Sequence, residues 1–397
     1  MNGEKIRMVE TQGAAPVLVV SEAYQREADF LEAAQGMSER APHLLRREAA
    51  AAWAACGAFE RAAFAYFAVS SALIALFAEH LRHPLRLLGV RAIVVFVVLM
   101  LCRVQARSAE RCRAEGESLA GQWWHFWRHW YPHLFFLFCF EELAQLMTLV
   151  TPNWQDAKLI AFDHWMTGVH PSIWLEQFVT PGRNEFLQLA YLTYFVYLLV
   201  LGGILYFRRE WKAYWSVMTY SMVGYSIGYI IAMFFPIESP WFSMAGMWKG
   251  PLDGGAITAT INFIEHYGRV RGAAFPSEHV AGSIAVLWGA WRFRRWLFWV
   301  MAPLVLLMCV STIWGRYHYI ADIFGGFVTG TLGYLIGSWW MERKRAVTTD
   351  SAGMLSFEEK WKGGGKRRPP RKAAATKARV TQEGGASSAP TKASWAT

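Results

Sequence analysis

Long apolar runs alternate along the chain with short polar connections, many of them basic. The runs occupy residues 63–79, 87–101, 132–150, 186–207, 214–235, 280–291, 296–315 and 319–340. Most approach or exceed the ~20 residues with which an α-helix crosses a hydrocarbon core of ~30 Å. They do not alternate in shorter segments as the strands of a membrane barrel would. The pattern predicts an all-α fold, a polytopic transmembrane helix bundle of about six to eight spans. The block 280–291 reaches spanning length only if its helix begins near Ser277. Residues 151–185 differ: their apolar positions are interrupted every few residues, and Trp154, Trp165, Trp174, Pro171 and Pro181 stand among them. Short helices in the membrane interface, where Trp is favoured, are the expectation. They either cap the bundle or shape a pocket for a lipid headgroup.

Residues 1–58 are rich in Ala and charge, which predicts helix too polar to span. Their one short apolar stretch ends at 17–20, after Glu4 and Glu10, and lacks the layout of a cleavable signal peptide. Residues 342–397 carry thirteen Lys or Arg against five Asp or Glu, a net +8 of the chain's formal +10. Such a tail buries too little apolar surface to fold and is expected to be disordered. Without interleaved aromatics it predicts contact with anionic lipid headgroups and no specific nucleic acid. The layout is then a polar cytoplasmic segment (1–58), a transmembrane pair with a basic linker (59–130), a catalytic membrane domain (131–341) and the tail (342–397).

Composition agrees with a membrane protein. The chain is 54% hydrophobic and 18% charged over 397 residues, where soluble domains carry about a quarter charged residues. With the tail in the cytoplasm, the positive-inside bias puts Arg208, Arg209, Lys212, Arg292, Arg294 and Arg295 on that side. Arg82, Arg86 and Arg91 fall outside and fit less well. This predicts a multi-pass protein of a bacterial inner membrane or a eukaryotic endomembrane, with cytoplasmic termini. Glu141 and Glu142 lie inside the third run, where an acid is either functional or turned to a polar bundle interior. Cys56, Cys102, Cys112, Cys139 and Cys309 show no C-x-x-C spacing and read as small packing residues.

Two stretches carry candidate chemistry. Phe275-Pro276-Ser277-Glu278-His279-Val280 opens one span, and Arg316-Tyr317-His318-Tyr319-Ile320-Ala321-Asp322 opens another. Both spans start on the outer side in this topology, so His279 and His318 fall at similar depth. His318 and Asp322, at i and i+4, share a helix face. A carboxylate there holds a ring N–H, fixes the tautomer and raises the basicity of the other nitrogen. That nitrogen can attack phosphorus, and His279 can protonate the leaving alkoxide. Ser277 can cap its helix, whose N-terminal amides form an anion site. Arg316, Arg271 and Arg269 can neutralise phosphate oxygens. A His/Asp pair at this spacing can also be a plain helix-surface hydrogen bond; the second histidine at matched depth favours catalysis.

Pro-Ser-x-His with a downstream His-x-x-x-Asp resembles the type 2 phosphatidic acid phosphatase superfamily of lipid phosphatases and phosphotransferases. Tyr317-His318-Tyr319-x-x-Asp322-x-x-Gly325-Gly326 is similar to the branch containing inositol-phosphorylceramide synthase. So are Phe162-Asp163, Gly168-Val169-His170-Pro171-Ser172-x-Trp174-Leu175 and Tyr191-x-x-Tyr194-Phe195. The resemblance covers roughly residues 130–340. It implies His318 as nucleophile, Asp322 as its support and His279 as general acid. Glu278 stands where the phosphatases usually have Gly, and Thr312 where they carry an Arg. Their first Lys/Arg motif has no counterpart, which leaves Ser277, Arg316 and Arg271 as phosphate-binding candidates. The implied activity is that of a lipid phosphotransferase, inositolphosphotransferase-like, acting on a phospholipid or phosphosphingolipid. The alternatives are a simple lipid-phosphate phosphatase and, outside enzymes, a transporter or scaffold. No cofactor or metal and no protein partner is implied. The glycines 326, 330, 333 and 337 form a small-residue stripe for close helix packing.

Overall fold

A computed structural model describes residues 6–9, 17–20, 22–268 and 271–348. Each apolar run lies at least in part on a helix: α2 (Ala58–Leu76), α3 (Pro84–Glu115), α4 (Leu119–Leu143), α7 (Pro181–Leu192) with α8 (Tyr194–Phe207), α9 (Trp211–Phe234), α12 (Glu278–Phe293), α13 (Arg295–Trp314) and α14 (Ile320–Thr348). Among the described residues, six helical stretches are long and apolar enough to cross a membrane. They are Ala58–Leu76, Pro84–Glu115, Pro181–Phe207, Trp211–Phe234, Arg295–Trp314 and Ile320–Arg343. The fold is an all-α polytopic bundle, and the six apolar helices suggest an integral membrane protein.

The differences from the sequence pattern have local causes. Of the run 132–150, only the part up to Leu143 is helical. Its helix starts at Leu119, where the Ser118 side chain accepts from the Gly121 amide. Among residues 1–58, α1 (Glu22–Ala55) is helical, but β1 (Ile6–Val9) and β2 (Val17–Val20) pair antiparallel. The β-branched residues of 17–20 suit a strand better than a helix. The helix α14 runs on to Thr348, and the rest of the basic tail lies outside the described residues. The described residues up to Lys344 form one compact unit.

The helix α9 is the most enclosed span, with 72% of its apolar window buried, and it packs against α2, α8 and α12. Tyr214, Val217, Met218 and Met222 on it are fully enclosed. Glu142 answers to Arg91: Nε–Oε1 is 2.7 Å and Nη2–Oε2 is 2.9 Å, both side chains buried. That forked pair gives Glu142 a structural place between α3 and α4, whereas Glu141 stays exposed. Arg294 pairs with Glu210, and Arg292 with Glu342 at 2.6 Å. The α8–α9 turn, the α12–α13 turn and residue 342 of α14 therefore share one end of the bundle. The first turns of α12 and α14 share the other.

Close packing of α14 follows from its glycines. A Cβ at Gly326 or Gly330 would collide with the Ser277 and Ala281 carbonyls of the α12 segment, and one at Gly333 with Tyr220 of α9. Residues without a side chain let those backbones meet, where dispersion and weak polar contacts are strongest. The segment 151–185 forms α5 (Asp156–Thr167), α6 (Pro171–Glu176) and the start of α7. Its acids reach across to loop amides. Asp156 accepts from Glu238 and Ser239 N, Asp163 from Ile320 and Ala321 N, and Glu176 from Lys249 and Gly250 N. Glu185 accepts from Gly255, Ile257 and Thr258 N, at the start of α11 (Ala256–Gly268). These carboxylates supply acceptors to helix-start and loop N–H groups that have none of their own.

Candidate active site

Two helix starts make the site. Ser277 caps α12 by accepting from the Val280 amide, and its own N–H donates to the Asp322 carbonyl at 3.0 Å. That backbone bond ties the first turn of α12 to the first turn of α14. Asp163 completes the capping of α14 from outside, at 2.8 Å to Ile320 N and 3.1 Å to Ala321 N. Burial pushes the Asp163 carboxyl up, while the two amides and His170 hold it down in part. Tyr319 donates to Asp156 Oδ1 at 2.9 Å and takes its N–H to Asp322 Oδ2 at 2.8 Å. The loop carrying His318 is thus held from three sides.

Within this frame His318 Nδ1 lies 3.0 Å from the Ala274 carbonyl and 3.2 Å from Asp322 Oδ2. Both are acceptors, so the proton of His318 sits on Nδ1 and its Nε2 bears a lone pair. That Nε2 is 3.1 Å from His279 Nδ1 and 3.1 Å from Ser277 Oγ. Burial holds the His318 imidazole at about 4, well below its ordinary value, although the Ala274 carbonyl and Glu265 pull it upward. The ring is therefore neutral at physiological pH. His279 turns its other nitrogen to Tyr191 Oη, 2.9 Å away, and Tyr191 donates to Glu265 Oε1 at 2.8 Å. Since the single Tyr191 proton goes to Glu265, its oxygen accepts from His279 Nε2–H. The remaining nitrogen, Nδ1, faces His318 Nε2. Tyr194 covers the His279 ring at a centroid distance of 4.6 Å.

His279 and His318 open onto a cavity of about 450 Å³, walled by Tyr191, Tyr194, Tyr225, Tyr229, Phe136 and Phe140 among others. Leu137, Phe195 and Leu199, all exposed on α4 and α8, form part of the same wall. This is the size of a small-molecule site. Ser277, His279, His318 and Asp322 converge. The two arginines do not join them. Arg316 bonds the Gly250 carbonyl at 2.9 Å and Glu176 at 3.2 Å, over the Trp248 ring. Arg271 pairs with Glu238 and lies over Trp154 and Phe242. Neither lines the cavity, and Arg269 lies outside the described residues. Thr312 is buried, its carbonyl taking the Tyr317 and His318 amides.

Residues 157–336 match the family model of the PAP2 superfamily. The match supports that superfamily. No curated protein and no solved structure gives a match to this chain. The PAP2 match spans α5 to most of α14 and therefore includes both histidines, Asp322 and the Asp163 cap. A phosphatase or phosphotransferase of lipid phosphates is the activity this superfamily suggests. Among the residues contacting the histidines, Tyr191 and Tyr194 were visible only as part of a resemblance, with no role attached. Glu265, which reaches the site through Tyr191, gave no signal. The Asp156 and Asp163 clamps were equally silent, because a capping acid in trans shows no fixed spacing to the helix it caps.

Proposed function

We propose that this chain moves a phosphate-bearing group from a lipid through a phosphohistidine on His318. The observation that carries the reading is the paired geometry of His318. Asp322 and Ala274 hold its Nδ1, and its Nε2 stands 3.1 Å from His279 in the cavity wall. Nε2 attacks phosphorus; the N–P bond forms as the bond from phosphorus to the lipid oxygen breaks, and His279, charged by a proton taken up with the anionic phosphate, delivers that proton to the oxygen. An incoming alcohol or water then gives its proton to His279 and attacks phosphorus, releasing His318. Transfer to an alcohol makes the protein a phosphotransferase, and transfer to water a phosphatase. Ser277 and the N-terminal amides of α12 are the phosphate-binding groups of this reading. The basic loops at the opposite end of the bundle support an extracytoplasmic site.

The test separates the histidines by leaving group, on purified protein in detergent. An aliphatic lipid alcohol leaves poorly without a proton, whereas nitrophenolate leaves unaided. His279→Ala should lose orders of magnitude on a lipid ester and retain far more activity on a nitrophenyl phosphate ester. His318→Ala should lose both substrates. Equal losses for His279→Ala on both would overturn the acid role. Substantial turnover by His318→Ala would remove the nucleophile. A labelled lipid supplied with and without an acceptor alcohol distinguishes transferase from phosphatase.

A further inference from the structure

In the wall of the same cavity stands an acid the phosphotransfer chemistry does not use. Glu278 is 4% exposed, lines the cavity, and neither of its carboxylate oxygens has a hydrogen-bond partner. It sits against α9 at Gly228, where a Cβ would collide with Oε1. The backbone has thus made room for this carboxylate without giving it a donor. Ser283, one turn further along α12 and 1% exposed, also turns an unpartnered hydroxyl to this wall. A carboxylate desolvated in this way is costly unless it takes up a proton or a positive group joins it.

The rest of the wall has the same preference. Glu141 and Glu265 line the cavity too, and among the described residues no Lys or Arg does. Tyr194, Tyr225 and Tyr229 line the same cavity as the acid, and aromatic ring faces attract ammonium groups, quaternary ones above all. A phosphate alone explains none of these features, because three carboxylates repel it. A phosphate at His318 with a positive group a few bonds away satisfies both ends of the cavity.

Building on the phosphotransfer reading, we propose that Glu278 and its tyrosine neighbours form a subsite for a substrate-borne ammonium group. The ammonium belongs either to the headgroup of the donor lipid or to the alcohol involved in transfer. The phosphate end meets Ser277, His279 and His318, and the ammonium end meets Glu278. Glu278 is a specificity-determining residue here and takes no part in bond making.

The experiment compares charge at constant shape. Two short-chain lipid phosphodiesters are used, one with a trimethylammonioethyl headgroup and one with its uncharged 3,3-dimethylbutyl isostere. Wild-type protein should favour the ammonium ester in kcat/KM by about ten- to a hundredfold. Glu278→Gln should bring that ratio close to one, and Glu278→Asp should retain part of it. Acceptor alcohols with and without an amino group, offered beside an uncharged donor, separate the two sources of the ammonium. Non-hydrolysable phosphonate analogues of the two esters, added to the His318→Ala variant, give a readout independent of turnover. Only the ammonium analogue should raise its melting temperature, and not in the His318→Ala, Glu278→Gln double variant. Equal handling of the two esters with no amino-acceptor preference, preference for an inositol headgroup, or an ammonium preference untouched by Glu278→Gln would each overturn the subsite. Absence of turnover on every phosphate ester would instead sink the phosphotransfer reading, while the melting assay would still report on the subsite.

Discussion

Replacing Asp163 should damage both stability and turnover, although the residue lies on α5 and touches no reacting atom. Its carboxylate is 2% exposed and accepts from Ile320 N and Ala321 N at 2.8 and 3.1 Å. Asp163→Ala leaves two helix-start amides without partners. Each buried unpaired donor costs about 1–3 kcal/mol. Ile320 and Ala321 are half-buried, so water recovers part of that. The expected net loss is about 2–3 kcal/mol, or about 30- to 150-fold in the unfolding equilibrium. Asp163→Asn keeps one acceptor oxygen and gives up a charge that burial already disfavours, so its loss should be about half as large. His318 precedes Ile320 by two residues, and a displacement near 1 Å at a reacting group costs about a hundredfold in rate. Turnover of Asp163→Ala should therefore fall by ten- to a hundredfold, a rough range, in the folded fraction. The assay is thermal melting in detergent alongside turnover, with His318→Ala as a variant that loses turnover but keeps its melting point. Wild-type melting and wild-type kcat for Asp163→Ala would refute the reasoning that the α5 segment positions the nucleophile.

The low value of His318 sets a pH dependence. The native ring refuses a proton down to about 4, while an unfolded histidine takes one near 6.5. Between those values the unfolded chain binds the extra proton, so this group's effect on stability is lost from the native state as pH falls from 6.5 toward 4. The acid limb of kcat/KM should lie near pH 4 to 5, and a limb centred at 6.5 would mean that His318 is solvated in the working enzyme. The Arg91–Glu142 pair makes a third prediction. Glu142→Gln strands a buried guanidinium and should cost about 3–5 kcal/mol, whereas Arg91→Met with Glu142→Leu should recover most of it. Chemical unfolding of the three proteins checks this, and a double variant no more stable than Glu142→Gln would contradict it.

What the sequence carried by itself was whatever depends on spacing within one segment. The apolar runs determined the helices, because a bilayer demands about twenty apolar residues from each span. The Ser277 cap, the His318/Asp322 pair at i,i+4 and the small-residue stripe of α14 are local in the same sense, and the folded chain has all three. The matched depth of His279 and His318 followed from counting spans and basic loops. Tertiary structure decided everything that depends on direction across segments. Arg316 is two residues from His318, yet its side chain goes to Glu176 and Gly250, since a neighbouring residue in a loop need not point the same way. Glu142 and Glu141 are adjacent, but only Glu142 meets Arg91, fifty-one positions away. Glu278 precedes His279 and points at Gly228 on another helix. Asp163 caps a helix that begins at Ile320, and Tyr191 of α7 reaches His279 while donating to Glu265 of α11. A sequence carries the period of each helix and the chemistry of each side chain. It leaves unstated which faces meet, because that is set by the packing of all the helices together.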